Sequence, residues 1–282
     1  AARLADKHQQ AIDITVIAPQ PELRVRPRFY ERAVQTLVAP LQPLFDVTGV
    51  NFLQGHVEQI IPDSKEVSWK DANGEIHLRR LVLASGSHVN RDAVVGAAEH
   101  AFDLDQLESA AALEQHITDL ALQPESEARN TVVVCGGGFT GIEMALELPG
   151  RLREILGADA KTRVVVVERG GQPAGRWSQE LRDVIIEAST ELGIEWLVNA
   201  EVESVDAGGV TLKDGQVIAS QTVIWTVGVQ ANSLTAQINA PRDRQSRLHV
   251  NANLQVVGHD DIYATGDVAY AATDDKGNHA LM

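Results

Sequence analysis

The chain holds one cysteine, Cys135, in 282 residues. That scarcity excludes an internal disulfide, a C-x-x-C redox pair and a thiolate-rich metal site, and it fits a reducing compartment, so cytoplasm is the expected location. Long apolar runs are lacking too. None approaches the ~18 consecutive residues of a spanning helix, and the start has no charged segment followed by an apolar signal core. Any membrane contact is therefore expected to be peripheral, at the inner face of the cell membrane. Basic residues are scarce, 24 against 39 acids, giving a formal net charge of −15. Such a field repels phosphate backbones, and no Lys/Arg-rich run occurs, so nucleic acid is not an expected partner. The nine histidines are scattered without an H-x-x-x-H pair, and no metal site is expected. The absence of a G-x-S-x-G elbow removes the commonest hydrolase reading. What remains is ordinary for a globular chain, with 44% apolar and 22% charged residues. Its length suggests two compact units at roughly 100 to 200 residues each.

The opening "AARLADKHQQAIDITVIAP" reads as the second half of a helix leading to a strand at Ile12 to Ile17. In an α/β protein such a helix follows an earlier strand and tight turn, which are expected outside this chain. At the other end the sequence stops where a helix could begin, so the chain is expected to be an internal portion of a longer protein. Strand-like runs at Val67 to Trp69 and Leu81 to Ala84 flank "DANGE", whose Asn73-Gly74 dipeptide signals a hairpin, and 47 to 86 reads as mostly sheet. A helix is expected over Leu104 to Leu122, and "QPESEARN" at 123 to 130 reads as a polar linker. From 131 the pattern runs strand (131 to 135), glycine turn, helix (to about 156), strand (163 to 168), helix (178 to 192), the alternation of a doubly wound α/β sheet. Strands at 194 to 198, 201 to 206 and 209 to 213 read as a small antiparallel insert, followed by a strand from Thr222 to Thr226.

"VVVCGGGFTGIEMALEL" carries Gly136, Gly138 and Gly141 as G-x-G-x-x-G between a strand and a helix. The first glycine allows the tight turn, the second lets the backbone approach a pyrophosphate facing the helix N-terminus, and the third lets helix and strand pack closely. Without its flanks the motif could be a ligand-free turn; with strand, helix and second strand in place it predicts a dinucleotide site. The acid that reads ribose hydroxyls, expected roughly 20 residues on, is Glu168, with the excess taken up by a longer crossover. Glu168 favours NADH over NADPH, while Arg169 and Arg176 leave NADPH open.

Near the end, "DDIYATGDVA" runs a strand into Gly266 and Asp267. It resembles the second flavin fingerprint of flavoproteins with two dinucleotide-binding domains. "LVLASGS" at 81 to 87, with Ser85 and Gly86, resembles the strand that returns toward the flavin, and "IWTVGV", with Gly228, resembles its counterpart leaving the NADH domain. Within that superfamily "RPRFYERA", "AFDLDQLESAAALEQHI", "GGGFTGIEMALEL" and "GVQAN" resemble, in order, segments of the type II NADH dehydrogenase (NADH:quinone oxidoreductase) family.

That resemblance implies two Rossmann-like domains, an FAD domain (1–124 and 230–282) interrupted by an NAD(H) domain (125–229). It implies FAD and NADH as cofactors, a quinone or other electron acceptor, and a C-terminal part beyond this chain that docks on the membrane. Arg26 and Val57 are further cofactor-binding candidates by likeness. Glu143, the acid of the G-F-T-G-I-E string, is implicated by the resemblance in positioning or proton handling near the nicotinamide and flavin. A carboxylate in the early turns of a helix is also favoured by the dipole alone. One departure is Ala18, where the family usually has an acid gripping the FAD ribose. Cys135 has no partner and is expected to pack as a small apolar residue, which disfavours the related disulfide reductases and sulfide:quinone oxidoreductases. Other acceptors (a small electron-carrier protein, oxygen, a specialised metabolite), a non-catalytic redox sensor and a homodimer stay open.

Overall fold

The computed structural model describes residues 12–70, 75–274 and 276–279. The expected opening helix and the Asn73-Gly74 turn lie outside the described residues. In chain order, strand β1 (Thr15–Ala18) is followed by helix α1 (Gln42–Thr48) and strand β2 (Asn51–Gln54). An antiparallel trio comes next: β3 (His56–Ile61), β4 (Glu66–Lys70) and β5 (Glu75–His77), then β6 (Leu81–Leu83). The run from 101 to 168 gives β7 (Ala101–Phe102), α2 (Leu107–Asp119), β8 (Thr131–Cys135), α3 (Phe139–Leu156) and β9 (Arg163–Glu168). Beyond it lie α4 (Gln179–Leu192), β10 (Ile194–Val198), an antiparallel trio β11 (Val202–Asp206), β12 (Gly209–Leu212) and β13 (Val217–Ala219), then β14 (Thr222–Trp225) and β15 (Ile262–Ala264).

Contacts divide the chain into two units. One takes in the chain up to Leu23, Val38–His88 and Val229 onward; the other is Arg24–Leu37 with Val89–Gly228. In the first unit β1 pairs in parallel with β2, and β6 with β15. Its core joins Ile60, Val67, Leu83, Ile238, Leu248, Ile262 and Val268, while Phe45 of α1 stacks on Phe52 beside β1.

The second unit is built on a five-stranded parallel sheet in the order β7-β14-β8-β9-β10. All five residues of β8 are buried, as a continuous apolar run must be when helices cover both faces of a parallel sheet. Helix α3 packs on β8 and β9 and buries Met144, Ala145, Leu148 and Leu152 at the spacing of a buried face, while Ile142 packs with Ala174 and Ile185. The sheet, the helices and the order of their alternation from 131 to 192 agree with expectation.

Four local expectations are corrected. The strand that pairs with Glu66–Ser68 across the expected turn is Glu75–His77, whereas Leu81–Leu83 pairs in parallel with Ile262–Ala264. Ile194–Val198 belongs to the parallel sheet, because α4 is a crossover that returns the chain beside β9; the antiparallel insert is 202–219. The stretch 123–130 contains a short helix, Glu127–Asn130, whose N-cap Ser126 accepts from the Arg129 amide. Its last two residues are buried and paired: Arg129 Nε donates to Asn130 and Nη1 to the Gln123 carbonyl. The expected 104–122 helix spans Leu107–Asp119, with a 3-10 turn at Leu120–Leu122. The contact units also differ from the boundary drawn at 125, whereas their division between Gly228 and Val229 falls within one residue of the boundary drawn after 229. Phe102 pairs with Ile224, so the chain from Val89 onward groups with the glycine-loop sheet.

Candidate functional site

The glycine loop follows β8, and each glycine has its own surroundings. Gly136 has φ +114°, and a Cβ there would lie 2.4 Å from Val227 Cγ1. A Cβ on Gly141 would lie 2.0 Å from the Gly136 carbonyl oxygen, so only glycine lets α3 approach the turn. Gly138 is different: it is the N-cap of α3, and a Cβ on it would meet nothing within 4 Å. That open side, at a helix start with no side-chain cap, leaves first-turn amides available to an anion. Thr226, just after β14, braces the loop by donating its hydroxyl to the Cys135 and Gly136 carbonyls at 2.9 and 3.2 Å.

Glu168 ends β9 with both carboxylate oxygens engaged. Oε2 accepts from the Gly137 amide at 2.8 Å and Oε1 from the Gly170 amide at 2.6 Å. Each oxygen retains a further lone pair, so the acid is aimed by the backbone and can still accept from a vicinal diol. Gly137 was not singled out by the sequence pattern, yet a Cβ there would sit 2.8 Å from Glu168 Oε2 and 2.9 Å from Trp196. The run of three consecutive glycines was its only signal.

Glu143 is half-buried on the second turn of α3. Burial, then the nearby charge of Glu31, pushes its carboxyl above the usual range. Gly228 has φ +79° and its carbonyl accepts from the Asn90 amide at 3.0 Å. Arg26 is paired with buried Asp105, which also accepts from the Val89 amide, so it has a structural task beside the expected one. Cys135 is buried and its thiol is pushed up to about 12, inert as expected of a packing residue.

In the other unit, the flavin candidates gather at the ends of β6 and β15, which are paired in parallel. The Ser85 hydroxyl is buried with no hydrogen-bond partner among the described residues. Gly86 and Gly266 have φ +69° and +68°, and a Cβ on either would meet nothing within 4 Å. The Ser87 hydroxyl donates to Asp267 Oδ2 at 2.6 Å. An orphaned buried hydroxyl, two open glycines and an oriented carboxylate at the C-terminal ends of parallel strands fit a nucleotide-type cofactor. Val57 lies on β3, part-buried opposite Trp69. Ala18 ends β1 beside Gln54, with no acid at that register. No group of three or more metal-ligating side chains occurs among the described residues. Nor is any helix among them long and apolar enough to cross a membrane.

A sequence profile described as "Pyridine nucleotide-disulphide oxidoreductase" matches residues 7–281. The chain belongs to that family. It is similar to an "NADH dehydrogenase-like protein" of Mycobacterium tuberculosis, 38% identical over 267 residues, covering 94% of this chain and 66% of the relative. It is also similar to a "Type II NADH:quinone oxidoreductase" of Staphylococcus haemolyticus, 27% identical, covering 83% and 61%. Among solved structures, a ferredoxin reductase of Rhodopseudomonas palustris superimposes with TM-score 0.82 at 20% identity, covering all of this chain and 68% of the other. This member of the pyridine nucleotide-disulphide oxidoreductase family thus spans about two thirds of the length of the curated relatives it matches. The likeness to the solved structure extends to the mixed α/β fold of FAD/NAD(P)-binding oxidoreductases.

Proposed function

We propose that the protein is an FAD-dependent NADH oxidoreductase that passes electrons to a quinone-type acceptor. The observation that carries the reading is the pairing of an open Gly138 with a Glu168 carboxylate aimed by two backbone amides. The first-turn amides of α3 would take the NADH pyrophosphate, and Glu168 would accept from the adenosine ribose hydroxyls and disfavour a 2′-phosphate. Ser85, Gly86, Gly266 and Asp267 would hold FAD, with Val57 as a further contact. Bound FAD supplies the two-electron chemistry that links NADH to an acceptor. The names of the Mycobacterium and Staphylococcus relatives support NADH as donor, and the second supports quinone as acceptor.

The protein's own contribution is orientation, charge and proton supply. The balance NADH + quinone + H⁺ → NAD⁺ + quinol consumes one proton. Glu143, whose carboxyl is held above the usual range, is the group of α3 suited to deliver it. The test is anaerobic: NADH is added to the full-length flavoprotein, the flavin absorption is followed, and a soluble quinone is then introduced. Bleaching with recovery on quinone is expected. Bleaching without recovery would reject the acceptor, and no bleaching would reject the reading itself. Gly138→Val should abolish bleaching while FAD stays bound.

A further inference from the structure

Glu168 stands between two glycines, and each donates a backbone amide to it: Gly137 to Oε2 at 2.8 Å and Gly170 to Oε1 at 2.6 Å. Neither glycine has a φ in the left-handed region, so backbone conformation gives neither position a reason to exclude a side chain. Space gives that reason. A Cβ on Gly137 would lie 2.8 Å from Oε2, and a Cβ on Gly170 would lie 3.0 Å from Oε1. What each missing methyl leaves room for is one oxygen of the same carboxylate. Trp196 of β10 adds a second wall on the Gly137 side, with Cζ3 at 2.9 Å from the same Cβ position. The two donors are themselves held by their surroundings. The Gly136 amide donates to the Val167 carbonyl at 2.9 Å, the Gly170 carbonyl accepts from the Asn199 amide at 2.9 Å, and the Glu168 carbonyl accepts from the Ala200 amide at 3.1 Å. The carboxylate is thus gripped at both oxygens by backbone that is tied to β9 on one side and to the residues after β10 on the other.

We propose that Gly137 and Gly170 are specificity-determining residues of the dinucleotide site, acting through Glu168. A glutamate at a strand end ordinarily turns about its side-chain bonds, and one that turns aside relieves the repulsion of a ribose 2′-phosphate. Arg169, next in the chain, and Arg176, on the same loop, are both exposed and would supply counter-charge to such a phosphate. Here turning aside means giving up two charge-assisted hydrogen bonds from fixed amides. Glu168 therefore keeps its negative charge where the ribose hydroxyls are read, and it is already ordered before the ligand arrives. The clamp favours NADH over NADPH in spite of the two arginines. Neither glycine reads the ribose in this scheme; each acts by where it holds the carboxylate. The inference rests on the assignment of Glu168 to the adenosine ribose above.

The test measures binding and needs no turnover: NAD⁺ and NADP⁺, which differ only in the 2′-phosphate, are titrated calorimetrically into the full-length holoprotein. The parent should prefer NAD⁺. Gly137→Ala and Gly170→Ala should each reduce that preference about fivefold or more, a coupling of the size found between residues that share a hydrogen bond. A methyl at either position displaces the far end of a flexible side chain, so thermal midpoints should stay close to the parent's. If Gly137→Ala unfolds the protein by pressing on Trp196, Gly170→Ala carries the test, since the nearest atoms to its methyl all belong to Glu168. In a Glu168→Ala background, with no carboxylate left to displace, either glycine substitution should change the preference less than about twofold. An unchanged preference in the folded glycine variants overturns the proposal. So does an equal loss with Glu168 already removed, because the glycines would then act on the ligand directly. A parent that binds neither nucleotide refutes the dinucleotide reading itself, whereas a parent that prefers NAD⁺ beside glycine variants that do the same refutes the clamp alone.

Discussion

Gly138 and Gly141 stand three residues apart in one loop, yet a methyl at each meets opposite surroundings. At Gly138 the space is open; at Gly141 the methyl would overlap the Gly136 carbonyl. Gly138→Ala should therefore melt like the parent while NADH binding, followed by quenching of tryptophan fluorescence, weakens about tenfold or more, a loss of about 1.4 kcal/mol. Gly141→Ala should lose about 2 kcal/mol or more of stability, seen as a lower thermal midpoint, because backbone has to move to admit it. Equal behaviour of the two variants would deny that Gly138 faces a ligand. The spacing of these glycines and the acid at the end of β9 were legible in the sequence because they are local. What was not legible is how Glu168 is aimed. That depends on the Gly137 and Gly170 amides, and a backbone donor carries no residue letter.

Elements whose partners are near in sequence were also legible, whereas those paired at long range were not. The 3.6-residue apolar spacing of α3 and the buried runs of β8 and β9 announce themselves. Leu81–Leu83 looked like the second arm of a hairpin because its neighbour in sequence is a strand, but its parallel partner lies about 180 residues away. The strap of residues 24–37 is a similar case. Its 3-10 turn at Val34–Thr36 starts from Ala33, which has no side chain to cap it, and the cap is supplied by Glu114, 81 residues further on. Glu114→Ala should cost about 1 kcal/mol, the usual worth of a lost cap. Amide hydrogen exchange at 33 to 37 should accelerate while the strands of the parallel sheet keep their protection. Uniform acceleration across the unit would mean that the strap is integral to the sheet's stability and not separately fastened.

For the molecule as a whole, the acidic excess gives stability a definite dependence on pH. The net charge of −15 sets up self-repulsion at neutral pH, which salt screens. Set against it are carboxylates held below their usual range by partners: Glu195 by the Arg163 guanidinium, Glu201 by Lys213, and Asp243, where burial opposes ionisation but the Arg247 amide and guanidinium prevail. A carboxyl depressed on folding contributes stability above its unfolded value and loses it as pH falls through the folded one. Glu143 runs the other way, since a raised carboxyl contributes below its unfolded value and loses that contribution as pH rises. The depressed group is larger, so denaturant midpoints should hold from neutral pH down to about 5 and then fall steeply below about 4. Asp243 contributes most to that fall, because its pair with Arg247 is largely buried, at 11% and 7% side-chain exposure. Asp243→Asn should cost about 3 kcal/mol at pH 7, where it removes the carboxylate charge paired with the buried Arg247 guanidinium. The gap to the parent should close as pH drops below about 4 and the parent loses the same charge by protonation. A gap that stays constant with pH would assign the loss to packing, and the ion pair would then contribute nothing to the acid limb.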